Sequence, residues 1–341
     1  MFNSPKVRHD VQARSSDLWI TSSTERTHPA TRRTLIAPRP RHPAFTAWGY
    51  GQVVTQTQQT PVLTTSHLET WQQIDPDQHD VRLVVCDMDG TLLDNAGKLP
   101  VGFDELVETL DEAGIPFVPA SGRPYPTLNK MFTRYESFTT FVAENGSLVM
   151  RDGDVISMST VDPTNVQRAL DLAHASGRNL GVILCGRQGA WVERADEEFV
   201  TEVGTYFTEL TVVDDLAVVD DDILKVAIYD FGDPNDAKRD VFSVLEDDHQ
   251  VVVSAAHWID IMAGGTTKGT AVQALQASLG VTRAQTVAFG DFFNDAEMLD
   301  AADLSFAIGN AHPGIRARAR YVAPTNAEYG VVTVLEHLLG S

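Results

Sequence analysis

Two aspartates stand one residue apart in the stretch CDMDGTLLD at residues 86–94. The apolar run VRLVV precedes them and predicts a buried strand that ends at Asp87 and Asp89. Side chains two residues apart on a strand point to the same side, so both carboxylates would face one space. Like charges that close raise each other's pKa and lower stability, which indicates a function that needs both.

Polar residues also follow other predicted strands. The segments IPFVPASG, at 115–122, and QTVAFGD, at 285–291, each predict a buried strand, and a helix is predicted over Lys268–Leu279. Ligands of open parallel sheets bind beyond the carboxyl ends of the strands. We therefore expect one edge of the sheet to gather the two aspartates with Ser121, Gly122, Lys268, Asp291, Asn294 and Asp295.

This set of side chains predicts a site for a divalent cation and a phosphate. Gathered carboxylates repel one another unless a cation lies among them, and Mg²⁺ prefers carboxylates, water and phosphate oxygens. Lys268 would add a positive charge and Ser121 a hydroxyl donor, while Gly90 and Gly122 would let backbone N–H groups turn inward. A second interpretation of Ser121 is that it caps the following helix.

From residue 81 onward, predicted strands and helices alternate, which is typical of a doubly wound, mostly parallel α/β sheet. The block of about one hundred residues in the middle has its own helix and strands, and it predicts an inserted α+β domain. We expect a disordered or loosely structured extension at 1–80, a core formed by 81–158 with 257–341, and the inserted domain at 159–256.

Charge is distributed unevenly along the 341 residues. Residues 1–80 carry 8 basic and 7 acidic side chains, whereas the rest carry 18 and 40. The acidic part argues against nucleic acid or anionic membrane as a partner. Cys86 and Cys185 have no metal-ligand spacing, and no apolar run reaches 18 residues. We expect a cytoplasmic protein, monomeric or weakly homo-oligomeric, that acts on a small molecule.

Four motifs together carry a family resemblance. DMDGTLLD, ASGRP, TTKG and GDFFND match, in order and spacing, the motifs of haloacid dehalogenase-type phosphatases. The chain is similar to the Cof-like subgroup, which has a large α/β cap between the second and third motifs. AIGNA, at 307–311, and TNAEYGV, at 325–331, look like that subgroup's last two signatures. The resemblance covers roughly residues 81–341 and implies a Rossmann-like core with a cap that selects the substrate.

The resemblance also implies a role for each matching residue. Asp87 would be the nucleophile that forms an aspartyl-phosphate, and Asp89 the general acid and base. Mg²⁺ would be held by Asp87, the backbone carbonyl of Asp89 and Asp291, with Asp295 close behind. The phosphate would be bound by Met88, Ser121, Gly122, Lys268 and Asn294.

One residue departs from the family pattern. Phe292 stands where the fourth motif usually has a small or polar residue, and its ring would either line the cleft or turn into the core beside Phe293. The predicted function is Mg²⁺-dependent hydrolysis of small phosphorylated metabolites, either sugar phosphates or phosphorylated cofactors. The alternatives are a phosphomutase and a non-catalytic sensor of a phosphorylated ligand.

Overall fold

The computed structural model of the protein describes residues 20–21, 33–36, 70–204, 207, 209–255 and 257–340. Within these residues the strands form two sheets. The core sheet consists of β3 (Leu83–Asp87), β4 (Phe117–Ala120), β5 (Thr140–Ala143), β6 (Leu148–Arg151), β7 (Asp154–Met158), β14 (Thr286–Gly290), β15 (Leu304–Ala307) and β16 (Tyr321–Val322). The cap sheet consists of β1 (Ile20–Thr21), β2 (Arg33–Ile36), β8 (Leu180–Gly186), β9 (Ala190–Val192), β10 (Glu209–Val212), β11 (Ile223–Asp230), β12 (His249–Ala255) and β13 (Trp258–Ala263).

The core sheet is doubly wound, as predicted. Its order is β16-β15-β14-β3-β4-β5-β6-β7, and the strands from β16 to β5 run parallel, while β6 and β7 are antiparallel. The chain leaves β3 toward β4 but leaves β14 toward β15, so the strand order reverses between the neighbours β3 and β14. Such a reversal opens a crevice at the carboxyl ends of the strands, where α/β proteins bind ligands.

Helices cover both faces of the core sheet. They are α1 (Phe103–Ala113), α2 (Tyr125–Phe132), α6 (Lys268–Leu279), α7 (Ala296–Asp300), α8 (Pro313–Arg316) and α9 (Gly330–Leu339). Strand β3 shows the pattern that this layering requires. Val84 and Cys86 belong to the apolar cluster with α1 and α9, whereas Leu83 and Val85 belong to the cluster with α6 and α7. Alternate side chains of a strand point to opposite faces, so a continuous apolar run is buried on both.

The inserted domain, the cap, carries α3 (Pro163–Ala175), α4 (Glu197–Val203) and α5 (Pro234–Ala237) beside its sheet. The structure moves its predicted second boundary. Residues 258–263 were assigned to the core, but β13 pairs antiparallel with both β11 and β12 and is part of the cap sheet. Because β12 and β13 form a hairpin, the chain returns to the core at residues 264–267, just before α6.

Only parts of the predicted extension at 1–80 are described. Strand β2 pairs with β1 and with β10 of the cap, both antiparallel. Residues 70–80 lie against the core, where Ile74 is buried and its carbonyl oxygen lies 2.9 Å from Nε2 of His337. The rest of the extension lies outside the described residues, and its predicted disorder stays a prediction. None of the helices in the described part of the chain has the length and apolar character of a membrane span.

Candidate active site

The first predicted motif forms a tight loop at the end of β3. Asp87 is the last residue of the strand and is 6% exposed. Gly90 follows with φ of +86°, and a Cβ there would lie 2.4 Å from Oδ2 of Asp291. Glycine alone allows both this backbone conformation and this close approach. The loop therefore brings its backbone directly against the fourth motif.

Lys268 reaches the same point from the first turn of α6. Thr267 caps this helix by a reciprocal pair of hydrogen bonds with Thr270. The lysine is fully buried, and its Nζ lies 2.5 Å from Oδ1 of Asp87 and 2.7 Å from Oδ1 of Asp295. Burial lowers the pKa of Lys268, but the charges of Asp295 and Asp87 outweigh that effect, and the net pKa is raised. The ammonium is charged at neutral pH.

Three carboxylates meet beside this lysine. Each of Asp87, Asp291 and Asp295 offers an oxygen within 4.8 Å of the other two. Burial, followed by the charge of Asp295, raises the pKa of Asp87 to about 7. Burial, followed by the charge of Asp87, raises the pKa of Asp291 to about 9. Carboxylates in this state gain from a cation that removes their mutual repulsion, and their oxygens are the ligands that Mg²⁺ prefers. The donor set therefore fits the predicted metal.

Asp295 differs from the other two because both of its oxygens already accept hydrogen bonds. Oδ1 accepts from Lys268, while Oδ2 accepts from the backbone N–H groups of Asp291 at 2.9 Å and Phe292 at 3.1 Å. Asp295 thereby fixes both the lysine and the loop that carries Asp291.

Asp89, the predicted general acid and base, forms a bidentate ion pair with Arg123. Nε of Arg123 lies 2.8 Å from Oδ2 of Asp89, and Nη2 lies 2.5 Å from Oδ1. The arginine is part of the ASGRP motif, but its side chain was not assigned a role from the sequence. The backbone N–H of Arg123 also donates to Oγ of Ser121 at 3.2 Å. Helix α2 starts at Tyr125 without a side-chain cap, so Ser121 does not cap it.

Most of the predicted phosphate-binding residues line one cavity between the core and the cap. Ser121, Gly122 and Asn294 line it together with Asp87, Asp89 and Asp291. Two predicted phosphate-binding residues do not line it. The side chain of Met88 is fully buried in the apolar core, so that only its backbone can face a ligand, and Lys268 is fully buried beside Asp87 and Asp295. Phe292 lines the cavity and is partly exposed, with its ring edge-on to Phe293 at 5.3 Å between centroids. The cleft interpretation of Phe292 agrees with this placement.

A sequence model described as haloacid dehalogenase-like hydrolase matches residues 84–335, which include all four motifs and the segment inserted between the second and third of them. The chain belongs to the haloacid dehalogenase-like hydrolases. This confirms the predicted family, the fold class and the assignment as a hydrolase.

The hydrolase has curated relatives that are named as phosphatases. It is 28% identical over 264 residues to the 5-amino-6-(5-phospho-D-ribitylamino)uracil phosphatase YbjI of Escherichia coli strain K12, which covers 76% of this chain and 96% of the relative. It is 27% identical to the Bacillus subtilis strain 168 phosphatase YitU, which has the same substrate in its name, over 74% of this chain and 96% of that protein. The crystal structure of SMU.1108c from Streptococcus mutans UA159 superposes with a TM-score of 0.69 at 26% identity, covering 76% of this chain and all of that one.

Several residues around the site of this hydrolase were missed from the sequence. Besides Arg123, they are Asn145, Lys225 and Asp260, which all line the cavity. The turn NG at 145–146 joins β5 to β6, and Gly146, with φ of +100°, packs so closely that a Cβ would lie 2.3 Å from the Thr267 carbonyl oxygen. The tight turn was a usable signal, because it fixes Asn145 beside the start of α6.

The two C-terminal signatures of the hydrolase contact the loop that follows β3. Asn310, in AIGNA, donates from Nδ2 to the carbonyl of Gly90 at 2.7 Å, and its Oδ1 accepts from the backbone N–H of Asn326 at 3.0 Å. Asn326, in TNAEYGV, donates to the carbonyl of Leu93 at 2.9 Å. Both asparagines contact the backbone of this loop and do not line the cavity.

Proposed function

We propose that the protein is a Mg²⁺-dependent phosphatase of small phosphorylated metabolites that works through an aspartyl-phosphate on Asp87. The observation that carries the proposal is the burial of Asp87 between Lys268 and Asp291 at the carboxyl end of β3. Family membership and the names of the curated relatives support it.

The metal would be held by Asp87 and Asp291, with Asp295 behind them as the residue that orients Asp291 and Lys268. When bound, the cation would neutralise charge on the carboxylates and on a phosphate oxygen. The close approach of Gly90 to Asp291 leaves no room for a side chain at this point and keeps the carboxylate in place.

The chemistry of the proposal divides hydrolysis into two steps at phosphorus. In the first, a carboxylate oxygen of Asp87 bonds to phosphorus, the ester P–O bond breaks, and Asp89 gives its proton to the leaving oxygen. In the second, Asp89 takes a proton from water as the water oxygen attacks phosphorus, and the bond to Asp87 breaks to release inorganic phosphate. Lys268 stabilises the charge that develops on the phosphoryl oxygens.

Arg123 holds Asp89 in place when no substrate is bound. Its bidentate contact holds the Asp89 carboxylate in one orientation, beside the cavity. We infer that a substrate must displace or share this arginine before Asp89 can reach the leaving oxygen.

The substrate class that we propose is a phosphate ester with a polar chain and a flat ring, the class to which the phosphoribitylaminouracil named for two relatives belongs. The cavity supports it by its composition. Its phosphate end is formed by the core motifs, and polar groups of Asn145, Lys225 and Asp260 follow, while the cap adds Phe207 and Trp258. Aromatic side chains give a flat ring a surface on which to pack.

The test is the release of inorganic phosphate by the wild type and by Asp87→Asn, with and without EDTA. We expect the wild type to turn over continuously with Mg²⁺ and to stop in EDTA, and Asp87→Asn to be inactive. Asp154→Asn, at an exposed aspartate of β7, is the matched control and should keep full activity. Release of one equivalent of the alcohol per enzyme, with no inorganic phosphate, would favour the phosphomutase, and activity in Asp87→Asn would exclude this nucleophile.

Comparison of 5-amino-6-(5-phospho-D-ribitylamino)uracil with a hexose phosphate tests the substrate class. We expect the larger kcat/KM for the ring-bearing ester, and equal values would contradict this part of the proposal. The cytoplasmic location, the monomeric or weakly oligomeric state and the absence of nucleic-acid and membrane partners stay predictions.

A further inference from the structure

Lys225 is a buried lysine of the cap whose ammonium group lies at the boundary with the core. It projects from β11 and is 4% exposed. Its Nζ lies 2.8 Å from Oε2 of Glu144 and 3.5 Å from Oδ2 of Asp260, and it donates to the carbonyl of Gly122 at 3.2 Å. Glu144 and Gly122 belong to the core, whereas Asp260 lies on β13 of the cap. One cation therefore joins the two domains beside the active site.

Asn145 forms a second connection between the cap and the phosphate site. Its Nδ2 donates to Oδ2 of Asp260 at 3.4 Å, and its Oδ1 accepts from Nδ2 of Asn294 at 3.2 Å. Asn294 lies in the fourth motif and lines the cavity with the proposed phosphate-binding groups. Two hydrogen bonds thus lead from Asp260 to Asn294, and a single one leads from Lys225 to Gly122.

These contacts need the cap to lie on the core. Burial lowers the pKa of Lys225, but the charges of Asp260 and Glu144 outweigh it, and the net pKa is raised, so the lysine is charged. A buried charge that loses one partner is left without compensation. When the cap moves away, Gly122 loses its donor and Asn145 loses its acceptor at the same time.

We propose that Lys225 and Asp260 are positioning residues that set Gly122 and Asn294 in the active arrangement only when the cap is closed. The inference rests on the proposed phosphatase function. It makes cap closure a condition for catalysis even with a substrate too small to contact the rest of the cap. A cluster that only held the domains together would stabilise the protein without acting through Asn294.

The test is steady-state hydrolysis of a small aryl phosphate, with kcat and KM determined separately and Tm measured for each variant. We expect Asp260→Ala and Lys225→Met to lose about 10- to 100-fold in kcat/KM, because small displacements of positioning groups have effects of this size. Asp260→Asn should recover most of the activity, since its side-chain oxygen can still accept from Asn145. Lys238→Met is the matched control, because Lys238 is a partly exposed lysine of the cap that pairs with Glu246 at 2.9 Å.

A double-mutant cycle separates positioning from simple attachment. In an Asn294→Ala background, Asp260→Ala should lower kcat/KM by less than about twofold, because the path through Asn145 is already broken. The inference would be overturned if the losses of kcat/KM in the two single variants multiplied in the double variant. It would also be overturned if the losses of kcat/KM simply followed the losses of Tm. If Lys225→Met does not fold, the Asp260 variants decide alone. Full activity of Asp260→Ala in an active protein refutes the positioning role only, whereas a wild type that hydrolyses no phosphate ester refutes the proposed function itself.

Discussion

Two buried lysines each lie between two carboxylates close to the cavity, which Lys225 lines and Lys268 does not. Lys268 contacts Asp87 and Asp295, all from the core, and Lys225 contacts Glu144 of the core and Asp260 of the cap. In both cases the neighbouring charges raise the lysine's pKa against the effect of burial. The pairs are alike in chemistry and differ in what holds them, because one is fixed within a domain and the other exists only where two domains meet.

This difference indicates that buried lysine–carboxylate pairs can have two roles. One pair can take part in a reaction, and another can hold two domains in a fixed arrangement. Beside Lys268 are the grouped carboxylates, so in the proposed mechanism its charge would act directly on the reacting atoms. Lys225 contacts the Gly122 carbonyl and Asp260, and Asp260 contacts Asn145, so in our proposal its charge acts only through residues that position the phosphate-binding groups. Replacing each lysine by methionine should therefore give effects of different size and kind.

The largest expected effect is that of Lys268→Met. Loss of a preorganised charge at the phosphoryl oxygens should lower kcat by about 10²–10³-fold, the range found when one such donor is removed. Lys225→Met should lose less activity than Lys268→Met, and Asp260→Asn should keep most of the wild-type activity. Phosphate-release kinetics at saturating Mg²⁺ measure both lysines under one condition. A loss at Lys268 no greater than that at Lys225 would remove the distinction between the two.

The sequence predicted the first lysine and not the second for a physical reason. Lys268, Asp87 and Asp291 each stand at the end of a strand or the start of a helix, where short local patterns mark the position. The doubly wound order then brings those ends together at one edge. Local pattern and topology suffice for such a site.

Lys225 and Asp260 lie inside apolar strands of the cap, where a charged residue in the sequence ILKVAIYD gives no sign of its partner. Their contacts depend on how the cap packs on the core, which no local pattern fixes. The misplaced boundary at 256/257 has the same cause, since β13 reads as a strand in either domain until its pairing with β11 and β12 is known. Contacts between residues far apart in the sequence are therefore harder to predict than the chemical role of residues in local motifs.

We expect an effect of intermediate size from Asp291→Asn, measured as the change in Tm that Mg²⁺ causes. It compares the carboxylates near Lys268 with those near Lys225. Without metal the substitution removes like-charge repulsion among buried carboxylates, so Tm in EDTA should hold or rise. Wild type should gain about 2.7 kcal/mol of stability at Mg²⁺ one hundred times above its Kd, and the variant should lose most of that gain.

Glu144→Gln is the control for this measurement, because Glu144 is a buried acid paired with a lysine but not among the three grouped carboxylates. Its own Tm should fall, while its response to Mg²⁺ should match that of wild type. Thermal unfolding followed with a dye, across a Mg²⁺ titration, provides both values. An undiminished Mg²⁺ response in Asp291→Asn would place the metal elsewhere.

The smallest expected effect concerns Phe292 of the core, which lines the same cavity as the aromatic residues Phe207 and Trp258 of the cap. Its ring is held edge-on by Phe293, and its backbone N–H is fixed by Asp295, so the side chain can change while the loop stays in place. Phe292→Asn should shift the ratio of kcat/KM between a ring-bearing phosphate ester and a hexose phosphate by about tenfold toward the sugar, the size of one apolar contact. Phe293→Asn is the matched control, because Phe293 is 53% exposed and does not line the cavity. If both substrates lost activity equally in Phe292→Asn and its Tm fell, the ring would be supporting the loop, and selection for a flat substrate would rest on the cap alone.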